Sequence, residues 1–152
     1  MERRSILISL CALPLLFAAS SAFAGKASVF TGIIDGVAAG GYDVVAYQTE
    51  NAAKPGDQSI TAEFDGVNYR FISEANRATF TANPAKYTPA YGGYCAYAVA
   101  KGYTASVDPE AFTVVQGKTY LNYSKGVQSK WLQDTSGYIS SANDNWPKVL
   151  GN

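Results

Sequence analysis

The strongest constraint on this chain is a nine-residue pattern that occurs twice. Asp65-Gly66-Val67-Asn68-Tyr69-Arg70-Phe71-Ile72-Ser73 aligns with Gln116-Gly117-Lys118-Thr119-Tyr120-Leu121-Asn122-Tyr123-Ser124, with Gly, Tyr and Ser in the same places. Before the first turn Ile60, Ala62 and Phe64 alternate with polar residues, the period of a half-buried strand. Asp-Gly is a hairpin cue, because a two-residue type I′ turn needs positive φ at both central positions. Asn68 to Ile72 then resumes as a strand. Ser73 is suited to cap a helix with Ala75, Ala78 and Phe80 on its apolar side, ending near Asn83-Pro84. The second occurrence predicts a strand over Phe112 to Val115, a turn, a strand over Tyr120 to Tyr123, and a helix opened by Ser124 that runs through Val127 and Trp131. Either one supersecondary unit is repeated, or hairpins that run into capped helices converge on similar residues. Both readings predict the same class: α+β, a small antiparallel sheet from two hairpin–helix units with helices packed on it.

Residues 1–24 read as a secretory leader. Arg3 and Arg4 supply the positive end, Ile6 to Ala19 the apolar run, and Ala22-Phe23-Ala24 the small-x-small cleavage site. A membrane anchor needs about 18 uninterrupted apolar residues, whereas Ser9, Pro14, Ser20 and Ser21 break this run. Cys11 lies inside it without a lipidation motif. The expectation is an exported product of residues 25–152, periplasmic or secreted, with one domain and no membrane insertion after cleavage. Within it, residues 25–32 read as a flexible lead-in, and Gly36 to Gly41 as a Gly/Ala-rich turn. Tyr138, Ile139, Ala142 and Trp146 recur at helical spacing before Pro147.

Residue types that are missing exclude whole classes of chemistry. The chain has no histidine, and its one methionine is Met1. That removes Ser-His-Asp and Cys-His catalysis, His-ligated zinc and thioether copper sites. With 12 Lys+Arg against 12 Asp+Glu, and Glu2, Arg3 and Arg4 in the leader, the remaining charge is near −1. Nothing here draws the chain to nucleic acid.

Cys95 is the one cysteine outside the leader, so no internal disulfide can form and the fold must rest on its core. Two readings of it stand: a packed small apolar residue, or a free thiol whose pKa is lowered by a helix start or by Lys101. Gly92 and Gly93 precede it and would let the backbone bend to bring the thiol beside Tyr91, Tyr94 and Tyr97. Tyr42, Asp43 and Tyr47 form a second candidate group. Asp43 either caps the following short helix while the tyrosines fill the core, or lies at the mouth of a pocket near Cys95. All 11 tyrosines lie beyond the leader, and such rings suit either a binding cleft or a core wetted at its edges. Asp108-Pro109-Glu110 reads as the entry to a strand or helix.

The stretch from Phe64 to Tyr87 resembles the core of the YHS domain family, through Gly66, Tyr69-Arg70-Phe71-Ile72-Ser73, Phe80, Pro84 and Tyr87. The wider run from Gly41 to Pro147, with Tyr91-Gly92-Gly93-Tyr94-Cys95-Ala96-Tyr97-Ala98 as its most specific segment, looks like the exported single-domain branch of that family. YHS domains are similar to the metal-binding TRASH modules, and that likeness implies metal binding or metal handling. Metal-binding relatives would carry cysteine where Ile72 and Asn76 stand here, so the usual thiolates are missing and Cys95 is the one soft donor.

The function expected is a non-catalytic periplasmic binding or accessory module. It would engage a small ligand, a metal ion or an envelope protein through Cys95, Tyr42, Asp43, Tyr47, Tyr91, Tyr94 and Tyr97; no particular cofactor is indicated. The alternative is a redox or nucleophilic enzyme centred on Cys95, with Asp43, Asp108, Lys101 or a tyrosinate as its base.

Overall fold

The computed structural model describes residues 25–152, so the stretch expected to be a leader lies outside the described residues. The elements are α1 (Val44–Thr49), β1 (Asp57–Phe64), β2 (Val67–Phe71), α2 (Glu74–Ala82), α3 (Pro84–Tyr87), α4 (Ala96–Ala100), β3 (Asp108–Val115), β4 (Lys118–Asn122), α5 (Lys125–Trp131) and α6 (Thr135–Asn145). The class is α+β, as expected. The strands form two separate two-stranded antiparallel ladders, β1–β2 and β3–β4, each with helices packed on it.

Local chemistry explains both hairpins. Asp65 and Gly66 have φ of 51° and 77°, and Gln116 and Gly117 have 49° and 73°, the two left-handed residues that match the twist of the flanking strands. Ser73 accepts a bond from the Asn76 N–H and Ser124 from the Val127 N–H, so each serine caps the helix that follows its hairpin. The registers agree as well. Phe64 faces Val67 and Val115 faces Lys118, and each ladder is bulged, between Asp57 and Thr61 in one and between Asp108 and Phe112 in the other.

The repeat extends further than the aligned nine residues. Ala39 and Gly40, at φ/ψ of 52°/28° and 60°/21°, precede Gly41, Tyr42 and Asp43. Tyr91 and Gly92, at 56°/38° and 60°/17°, precede Gly93, Tyr94 and Cys95. Gly41 and Gly93 share φ of 80°. Each turn opens a short helix, with Asp43 at the N-cap position of the first, where its carboxylate caps, and Cys95 at that of the second, where no side-chain bond caps the helix. Residues 39–82 and 91–131 therefore follow one plan: turn, short helix, bulged hairpin, capped helix. Asp43 and Cys95 are counterparts.

The halves interlock through aromatic packing. The Tyr47 ring on α1 lies 4.7 Å from Phe112 on β3, and its hydroxyl donates to the Pro109 carbonyl at 2.7 Å. One buried cluster gathers Val44, Val45, Tyr69, Phe71, Phe80, Cys95 and Leu121. A second gathers Tyr91, Tyr94, Tyr120, Trp131 and Ala142, with Tyr138, Ile139 and Trp146 packed against it. Trp146 sits at the C-cap of α6, just outside the helix.

The segment expected as a flexible lead-in is docked. Phe30 N–H donates to the Gly92 carbonyl at 2.9 Å, Lys26 N–H to the Leu150 carbonyl at 2.7 Å, and the Tyr94 hydroxyl to the Ala27 carbonyl at 2.8 Å. Val29 and Phe30 are two apolar residues in too short a stretch to show a period, yet Phe30 stacks 5.2 Å from Tyr94. No described helix is long and apolar enough to cross a membrane.

Candidate functional site: the Cys95 cleft

The Gly92-Gly93 turn delivers Cys95 to the start of α4. There Cys95 lines a cleft of about 380 Å³ together with Tyr97, Ala98, Tyr103, Ala105, Tyr123, Val127 and Lys130. Tyr103 and Tyr123 are exposed, at 51% and 58%, while Cys95 at the floor is 1% exposed. The opening is thus rimmed by two rings that have no packing task of their own. Lys130 makes no ion pair among the described residues, and the lining holds no acid. Lys101 lies close by, its Nζ 5.5 Å from the Tyr97 ring centre and 5.4 Å from that of Tyr138, a cation–π arrangement.

Around the sulfur the chemistry is polar. The thiol donates to Asn122 Oδ1 at 3.7 Å, and the same oxygen accepts the Tyr97 N–H at 3.1 Å. Asn122 is fully buried, and its Nδ2 has no partner. Burial pushes the Cys95 thiol above its ordinary value; the backbone N–H groups of Ala98, Tyr123 and Tyr97 pull the other way but do not offset it. The lowered pKa that a reactive thiol needs is not present.

The second candidate group resolves as structure. Asp43 is fully buried. Its Oδ1 accepts the N–H groups of Val45 and Ala46 at 2.8 and 3.1 Å, and its Oδ2 accepts the Ile72 N–H and Asn76 Nδ2, both at 2.8 Å. The expectation of a carboxylate at a pocket mouth is overturned, because all of its reach is spent inside the fold. Tyr42 is half-buried, and its hydroxyl is held up by burial and by the charges of Glu110 and Asp108. Tyr47 is fully buried, and burial, helped by Tyr42 and nearby acids, raises its hydroxyl far above the ordinary phenol value.

Of the tyrosines expected beside Cys95, the structure brings Tyr97 alone into the cleft. Tyr91 turns to α6, donating to Asn143 Oδ1 at 2.9 Å, and burial raises its hydroxyl strongly. Tyr94 faces Ala27 and Trp146. In place of Tyr91 and Tyr94 the cleft uses Tyr103, Tyr123, Val127 and Lys130. Tyr123 was visible as the residue aligned with Ile72 in the repeat, a large ring opposite a residue next to Asp43. Tyr103 carries no such signal.

A larger groove of about 680 Å³ runs between the β3–β4 turn and α6, lined by Gln116, Asp134, Ser136, Ser140, Asn143 and their neighbours. It is shallower and more polar, and none of the candidate residues reaches it. Among the described residues no group of three or more His, Cys, Asp and Glu side chains comes together. At the two positions where the family resemblance places thiolates, the Ile72 N–H and the Asn76 amide both donate to Asp43. Comparison with known protein families, curated proteins and solved structures returns no match.

Proposed function

We propose that this chain is a non-catalytic binding module of an exported compartment, and that its ligand is a small planar molecule with a negative charge. The observation that carries the reading is the cleft above Cys95, where exposed Tyr103 and Tyr123 flank an apolar interior and Lys130 supplies an unpaired cation. Ring faces favour a flat ligand, and a cation without an acidic neighbour favours an anion. The leader pattern supports export. The YHS-type framework is kept as part of this reading, supported by the run from Gly41 to Pro147. A ligand fits better than a metal, since Ile72 and Asn76 present hydrogen-bond donors where metal-binding relatives would present electron pairs. The raised, buried thiol and the lack of histidine argue against the alternative of a Cys95 enzyme.

Fluorescence titration with anilinonaphthalene sulfonate tests this. Saturable binding at one site is expected. Tyr103→Ala and Tyr123→Ala should each weaken it by about 0.5–1.5 kcal/mol, the worth of one aromatic contact, and Lys130→Gln should remove its salt dependence. Absence of saturable binding, or binding indifferent to all three substitutions, sinks the reading.

A further inference from the structure

A smaller pocket, of about 250 Å³, lies where the first hairpin turn, the docked N-terminal segment, the second Gly-Gly turn and Trp146 meet. It shares no lining residue with the Cys95 cleft. Tyr69 stands in its wall. The ring packs on Phe80 with centres 4.7 Å apart, and the residue is 2% exposed. A buried tyrosine usually finds a partner for its hydroxyl, and Tyr47, Tyr91 and Tyr94 do so with Pro109, Asn143 and Ala27. The Tyr69 hydroxyl bonds to no described residue, yet it is not among the unpartnered atoms sealed from solvent. The pocket is the space left to it.

Two more oxygens share that space. Asp65 lines the pocket, makes no ion pair among the described residues, and has no lysine or arginine beside it in the lining. Its charge acts on Tyr69: burial first, then Asp65, pushes the phenol up to about 12. The hairpin does not require this acid, since Gln116 makes the equivalent turn with φ of 49°. The Ser28 carbonyl oxygen lies against Gly92, also in the lining, and accepts no bond from a described residue. Carboxylate, phenol oxygen and carbonyl are acceptors without a donor. Trp146 and Val29 add apolar wall.

We propose that this pocket binds a primary alkylammonium group, whose three N–H donors meet Asp65, Tyr69 and Ser28 while its carbon chain lies along Trp146 and Val29. An ammonium ion is the one common organic group with three donors, no acceptor and a positive charge, and aromatic walls favour a cation further. A quaternary ammonium carries the charge without the donors, and an alcohol carries a single donor without the charge. The inference goes beyond the binding reading and does not rest on it, because the two pockets are separate and call for opposite charges.

The test is an amide and indole NMR titration of the protein with n-butylammonium, and with Nα-acetyl-lysine amide, which carries the same group on a side chain. Saturable shifts at Asp65, Tyr69 and the Trp146 indole N–H are expected with at least one of them, and the tighter of the two identifies the source as free amine or lysine side chain. 1-Butanol and tetramethylammonium should bind at least about tenfold more weakly. Asp65→Asn keeps a favoured Asn-Gly turn and should weaken binding about tenfold or more, and Tyr69→Phe about threefold or more. Lys130→Gln, in the other cleft, should leave it unchanged. The proposal is overturned if neither amine gives saturable shifts there, if 1-butanol binds as well, or if binding is indifferent to Asp65→Asn.

Discussion

Asp43 holds together three parts of the first half: its own helix, the end of β2 and the start of α2. Its contacts with Ile72 and Asn76 span 29 and 33 residues of sequence. Asp43→Ala would leave those N–H groups buried without acceptors, at a cost of about 3–5 kcal/mol. Asp43→Asn keeps one oxygen and turns an amide toward donors, so it should recover only part of the loss. Urea denaturation of the two variants checks this, and a loss below about 1 kcal/mol for the alanine would contradict it. The capping role was legible in the sequence because a cap involves residues two and three places away. The reach to Ile72 and Asn76 was not, since only the folded chain brings them near. The same holds for Cys95: its burial follows from residue type, whereas Asn122 beside it is a product of the ladder.

At the scale of elements, turns and caps were the most readable parts. Hairpins at Asp65-Gly66 and Gln116-Gly117, and helices opened by Ser73 and Ser124, stand where local chemistry put them. The two Gly-Gly turns were harder. The kinship of Gly40-Gly41-Tyr42-Asp43 with Gly92-Gly93-Tyr94-Cys95 stands in the shared Gly-Gly-Tyr and in matching dihedrals, while the residues at their ends, Asp43 and Cys95, differ in charge and size. The turns also differ in their surroundings. A Cβ on Gly66 would meet open space, whereas one on Gly92 would lie 1.9 Å from the Ser28 carbonyl oxygen. Both positions have positive φ, so alanine at either should cost about 1 kcal/mol in backbone strain. Gly92→Ala should cost at least about 2 kcal/mol more, because the docked N-terminal segment must be displaced along with the Phe30–Gly92 bond. Thermal melts of the two variants side by side decide it; equal losses would mean that residues 28–30 are not held as described.

Across the whole molecule, the duplication divides labour between two similar halves. The first half closes its nest with a carboxylate and an asparagine, while the second places a smaller sulfur and Val127 there, and a cleft lies above it. The tyrosines divide accordingly. Tyr47, Tyr69, Tyr91 and Tyr94 are consumed in packing, and Tyr103 and Tyr123 are left at the rim. Composition announced many rings but could not tell which of them would face water, because that depends on how the second hairpin lies against α4 and α5. The class and most of the elements were therefore readable, and which side chains gather around Cys95 mostly was not. The most direct measurement is a backbone amide NMR titration of residues 25–152 with anilinonaphthalene sulfonate. Saturable shifts confined to the neighbourhood of Cys95, Tyr97, Tyr103, Tyr123 and Lys130 are predicted, with Tyr42 and Tyr47 unmoved. Shifts centred instead on Gln116, Ser136 and Asn143, or spread without a focus, would contradict the account.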